Sequence, residues 1–160
     1  MNATAPVLIA YDGSDAAHRA IHKTAELLGS RRALVLTVWK PGLSADEVTA
    51  VRGGTRTIAP SPVEVEEAEE VHDALQARAE RIAEEGAELA KSLGLESEAL
   101  AVANKGTVAE TIIELARERD VAAIIVGSRG LSGLRARLEG SVSMAVLKRS
   151  PCPVLIVHAD

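Results

Sequence analysis

Phenylalanine is missing from this 160-residue chain, and one tryptophan and one tyrosine are its only other large aromatics. Any core must therefore be aliphatic, drawn from the Ala, Val, Leu and Ile that carry most of the 47% hydrophobic share. A single cysteine, Cys152, excludes an internal disulfide and favours a reducing intracellular compartment. Basic excess is absent too: the net charge is −5 and the pI about 5.4, so the chain lacks the basic balance that sequence-independent nucleic-acid binding uses. No apolar run approaches the roughly 18 residues of a membrane span, and the opening MNATAPVLIAYDGSD has no basic segment followed by a long apolar one. These absences predict a cytoplasmic protein with no nucleic-acid or membrane partner. Its length suits one domain, residues 1–160, able to bury roughly 68 to 70% of its unfolded surface.

What the chain does contain is an alternation of apolar runs and amphipathic stretches. Residues 7–11 (VLIAY) read as a parallel strand covered on both faces. Ser14 caps a helix that continues to Leu28 before Gly29. Residues 33–39 (ALVLTVW) are a second strand, and residues 40–60, with glycine, proline and no period, form a loop or lid. Ser61-Pro62-Val63-Glu64 is a capping box with proline at the first helical position. Beyond it Val65, Ala68, His72, Leu75, Ala79, Ile82, Gly86, Leu89 and Leu93 mark one core-facing stripe. The glutamates at 64–70 fall between these positions and read as a solvated face.

A third strand follows at 99–103, less apolar and suited to a sheet edge. Thr107-Val108-Ala109-Glu110 is a second capping box, opening a helix to Arg119. Residues 121–126 (VAAIIV) are the fourth strand, 139–149 a short helix and 154–158 (VLIVH) the fifth strand. Alternation of this kind predicts an α/β fold, a five-stranded parallel sheet, doubly wound with helices on both faces.

In such a sheet a ligand sits at the carboxyl ends of the strands. One loop there is unusual: GSRGLSGLRARLEGSVS, residues 127–143, directly after the fourth strand. Gly127 and Gly130 would let the main chain run close beneath a sugar or phosphate. Gly140, Ser141, Val142 and Ser143 open the last helix, where unpaired N–H groups and the helix dipole favour an anion. Turn glycines beside an ordinary serine cap are the plainer alternative. Neither G-x-x-x-x-G-K-[ST] nor G-x-G-x-x-G is present; the pattern is G-x-x-G, nine residues, then G-[ST].

With that pattern, and with VLIAYDGSD, KGTVAETIIELA and GSVSMAVLKRSPCPVLIVH, the chain resembles the universal stress protein family, in its ATP-binding branch, over essentially its whole length. The resemblance implies a Rossmann-like fold and a stress-response or signalling module that binds ATP or another adenine nucleotide, with Mg²⁺ as a companion ion. It implies that Asp12 and main chain at Ala10 contact the nucleoside and that Val38 meets adenine through its backbone. Gly127 and Gly130 would border ribose and phosphates, and Gly140, Ser141, Val142 and Ser143 would hold the phosphates. Arg129 would serve as a charge partner. A homodimer through the strand Val154–His158 is implied as well. Two alternatives stay open, a slow ATPase or phosphoryl-transfer enzyme and a nucleotide-independent dimeric interaction protein.

Several residues have plain readings. The Asp12 carboxylate suits ribose hydroxyls or Mg²⁺, or else caps the next helix beside Ser14. Tyr11 and Trp39 end adjacent strands, where a place near a base is one reading and closure of the end of the aliphatic core the plainer one. His18 and His22 lie on an exposed helix flank without a third metal ligand. Cys152, between two prolines, is a packed thiol. Arg135 and Arg137 form either a basic arm over the phosphates or a solubilising loop.

Overall fold

The computed structural model describes residues 5–42, 61–128 and 142–158. In chain order the elements are β1 (Val7–Ala10), α1 (Asp15–Leu28), β2 (Arg32–Trp39), α2 (Pro62–Ser92), β3 (Glu96–Ala103), α3 (Val108–Glu118), β4 (Ala123–Ser128), α4 (Val142–Arg149) and β5 (Val154–His158). The five strands form one parallel sheet in the order β3-β2-β1-β4-β5. The α/β, doubly wound architecture is the expected one.

Alternation along the strands sorts the core into two layers. Val7, Ile9, Val35 and Ile125 point to the face covered by α1 and α2, with Ala17, Ala20, Ile21, Ala87 and Ala90 against them. Leu8, Leu34, Leu36, Ile124 and Val126 point the other way, onto Ile112 and Ala116 of α3 and Val146 of α4. Both faces are covered, which is why the central strands read as unbroken apolar runs rather than alternating ones.

The expected core stripe of α2 is rotated in the structure. Ala79 and Gly86 are buried as expected, but so are Ala83, Ala87 and Ala90, while Leu75, Ile82, Leu89 and Leu93 are only partly covered. Small side chains bring the helix axis close to the sheet, and the larger ones flank the contact. Gly86 shows how close: a Cβ there would stand 2.7 Å from the Tyr11 ring.

Two strand boundaries also differ. β3 begins at Glu96 rather than Ala99, with Glu96 and Glu98 exposed along the sheet edge, where charge discourages further strand pairing. β4 spans Ala123–Ser128, so Gly127 and Ser128 are strand residues rather than the start of a loop. Their pairing with Val157 and His158 of β5 carries the ladder past the apolar run. α4 is described from Val142; the expected helix start at 139–141 lies outside the described residues. So does nearly all of the lid at 40–60.

Candidate functional site

Strand order places the site. The chain leaves β1 through α1 toward β2, and leaves β4 through α4 toward β5, in opposite directions and onto opposite faces. The two connections diverge between the carboxyl ends of β1 and β4, which is where the usual ligand crevice of an open α/β sheet forms. An open cavity of about 150 Å³ lies there.

Six of the expected site residues meet in it: Ala10, Asp12, Val38, Gly127, Val142 and Ser143 all line the cavity. Arg129, Gly130, Gly140 and Ser141 lie outside the described residues, as do Arg135 and Arg137. The remaining lining comes from Tyr11, Ser14, Ala16, Ala17, Leu36, Val108, Ile112 and Val126. Sequence reading did not assign these to the site. Val108 and Ile112, one turn apart on α3, had a signal in the capping box, which starts that helix at the sheet's carboxyl rim. Leu36, Val38, Val108, Ile112 and Val126 make one flank apolar, and Asp12, Ser14 and Ser143 supply hydroxyl and carboxylate groups.

The position of Asp12 is set from below. Tyr11 N–H donates to the Leu36 carbonyl at 2.8 Å, and the buried Thr37 hydroxyl donates to the Tyr11 carbonyl at 2.9 Å. The Tyr11 ring is buried against Gly86, and its hydroxyl bonds His18 Nε2 at 3.1 Å. His18 Nδ1 is 2.9 Å from the Ser14 carbonyl, which can only accept, so Nδ1 carries a proton; in that neutral tautomer Nε2 accepts the tyrosine O–H. Burial, with Glu85 and Asp12 nearby, raises the Tyr11 pKa above its ordinary value, which keeps that hydroxyl neutral and able to donate. Tyr11 is thus a core aromatic, as expected, and also the anchor of the residue that follows it.

Asp12 itself is exposed, and one carboxylate oxygen accepts from Ser14 N–H at 3.0 Å. Ser14 Oγ in turn accepts from Ala17 N–H at 3.2 Å as the N-cap of α1. Asp12 therefore does part of the capping work offered as its plainer role, yet still faces the cavity. It is the one carboxylate among the described lining residues. A single carboxylate supplemented by phosphate oxygens is a usual Mg²⁺ arrangement, so the residues present fit a nucleotide-borne Mg²⁺. Among the described residues no group of three or more His, Cys, Asp or Glu side chains could hold a metal alone.

Gly127 lines the cavity for a different reason from the expected one. A Cβ on it would lie 2.5 Å from the carbonyl carbon and oxygen of Ala16 and 2.9 Å from Ala17 N. The space is filled by the first turn of α1, not reserved for a ligand. Glycine here lets α1 sit down on β4, and that close contact shapes the crevice.

Trp39 meets the His72 ring edge-on, with centroids 5.1 Å apart, tying the end of β2 to α2. Cys152 is half-buried in a turn where Ser150 Oγ donates to the Cys152 carbonyl at 2.7 Å. One polar pair at the rim was not anticipated: Ser128 Oγ and His158 Nδ1 are 2.7 Å apart at the carboxyl ends of β4 and β5. Thirty residues separate them in sequence, and only the parallel register brings them together.

The model of the universal stress protein family matches residues 4–158. Universal stress protein YxiE of Bacillus subtilis is 33% identical over 152 residues, covering 95% of this chain and 97% of that protein. Among solved structures, the hypothetical protein MJ0577 superposes with a TM-score of 0.69 at 24% identity, covering 98% of this chain and 97% of that one. A universal stress protein in complex with cAMP superposes with a TM-score of 0.67 at 26% identity, covering 97% of each chain. Among the described residues no helix is long and apolar enough to cross a membrane.

Proposed function

Because this chain belongs to the universal stress protein family, we propose that it binds an adenine nucleotide, ATP in the first instance, at the crevice between β1 and β4, as a cytoplasmic stress-response module rather than an enzyme. The observation that carries this is the cavity itself: Ala10, Asp12, Val38, Gly127, Val142 and Ser143 come from four separate parts of the chain, and all six line it. Its chemistry is asymmetric in a way that suits a nucleotide. The base would lie on the apolar flank of Val38, Val108 and Ile112. Asp12 would accept from the ribose hydroxyls or share Mg²⁺ with the phosphates. Val142 and Ser143, at the first turn of α4, would present backbone N–H groups and a hydroxyl to the phosphates. Arg129, Gly130, Gly140 and Ser141 complete the proposed site. The similar protein of the cAMP complex supports an adenine ligand. A homodimer through β5 belongs to the same proposal, since β5 is an edge strand whose backbone, among the described residues, has no neighbouring strand on one side.

Calorimetric titration of the purified protein with ATP and with AMP tests the reading. Saturable one-site binding is expected, and Asp12→Asn should weaken it by about tenfold, the scale of one hydrogen bond to a charged group. Absence of saturable heat with either nucleotide would sink the proposal.

A further inference from the structure

We propose that Ser128 and His158 form a contact for the terminal phosphate of the bound nucleotide, so that the site prefers nucleoside triphosphates over monophosphates. The inference rests on the adenine-nucleotide reading and deepens it.

Three observations lead there. First, the pair stands on the same side of the sheet as the cavity's apolar flank. Ser128 is two residues beyond Val126, and His158 two beyond Ile156, so both share the face that carries α3 and α4. Gly127, the residue before Ser128, lines the cavity. Second, the rim has a direction. Across the carboxyl ends run Val38 on β2, Asp12 after β1, Gly127 and Ser128 on β4, and His158 on β5. At the usual strand spacing, three intervals span about 14 Å. A ligand with its base on the Val38 flank therefore extends its tail toward β4 and β5. A monophosphate ends near Gly127; a longer tail runs on to the pair.

Third, the pair presents a donor in every protonation state. If Nε2 of His158 carries the proton, the Ser128 hydroxyl donates to Nδ1 and the Nε2–H faces outward. If Nδ1 carries it, Nδ1–H donates to Ser128 Oγ and the serine hydroxyl is released to donate elsewhere. The imidazolium releases both and adds a positive charge. Ser128 is partly exposed and His158 exposed, so neither donor is spent inside the core.

The test compares two affinities in the same protein. Titrations with ATP and AMP are run on the unaltered chain, on Ser128→Ala and on His158→Gln, with circular dichroism to verify that each variant is folded. Both side chains are at the surface end of their strands, so folding should survive. The unaltered chain should bind ATP about tenfold more tightly than AMP, and each variant should cut that ratio to about twofold or less. A purely structural role would move both constants together and leave the ratio alone. The inference is overturned if ATP and AMP bind the unaltered chain equally, or if the ratio survives both substitutions; either result leaves the nucleotide reading standing. Failure of AMP and ATP alike to bind overturns the reading and the inference with it.

Discussion

Gly127 has no room for a methyl group. A Cβ would need the carbonyl of Ala16 at 2.5 Å, and backbone cannot swing aside as a flexible side chain can. Gly127→Ala should therefore destabilise the fold by about 1 to 3 kcal/mol through overpacking, read as a lower urea midpoint at unchanged slope. It should weaken nucleotide binding at the same time, because the first turn of α1 would lift and take Ser14, Ala16 and Ala17 out of the cavity wall. A variant with normal stability would show that the first turn of α1 does not rest on this residue. Glycine at this position was conspicuous in the sequence, but its partner was not. Composition can say that a Cβ is unwelcome; only the docked helix says what it would strike.

At the scale of elements, α3 is the clearest case of local sequence setting local structure. Thr107 Oγ1 accepts from Glu110 N–H at 3.2 Å, and Glu110 Oε2 accepts from Thr107 N–H at 3.0 Å, closing the capping box expected from the sequence. The other Glu110 oxygen accepts from Arg149 at 3.2 Å, which joins α3 to the end of α4. Thr107→Ala should cost about 1 kcal/mol in chemical denaturation. The Thr107 backbone N–H, then its hydroxyl and Arg149, hold the Glu110 carboxyl below the usual carboxylate range. A folded-state pKa below the unfolded one gives stability that is present above the unfolded value and lost as pH falls through the folded one. The stability difference between the unaltered protein and Glu110→Gln should thus shrink on acidification through the carboxylate range. A difference that stays constant with pH would remove the charged cap from the account. Elsewhere elements were less legible. β4 was expected two residues early because Gly127 and Ser128 look like loop, and their strand identity comes from β5 alongside. The core face of α2 was misplaced toward its large residues because periodicity shows where apolar groups recur, not how closely a helix can approach.

For the whole molecule, the crevice is a product of strand order. β1 and β4 are far apart in sequence yet adjacent in the sheet, with Ala10 opposite Val126. A ligand held between them bridges the amino-terminal and carboxyl-terminal halves of the fold and should stabilise it cooperatively. At a nucleotide concentration one hundred times Kd, binding adds about 2.7 kcal/mol. For a chain of this size that corresponds to a rise in melting temperature of about 5 to 10 °C, readable by differential scanning calorimetry. Under the same conditions Asp12→Asn should show a smaller rise. An unaltered melting temperature at saturating nucleotide would contradict a ligand seated across the switch point.

The sequence by itself determined the alternation of elements, the caps at Ser14 and Thr107, the aliphatic two-layer core and the family, since each depends on spacing or on residues a few positions apart. It also nominated Asp12, Val38 and the Gly127 region for one site, by resemblance. Tertiary structure decided what those nominations could not: that Ala16 occupies the space beside Gly127, that Tyr11 seats itself in the gap left by Gly86, and that Ser128 faces His158 across the β4–β5 ladder. These contacts join residues far apart in the chain. Their physics is register and close approach, and neither exists until the strands have paired.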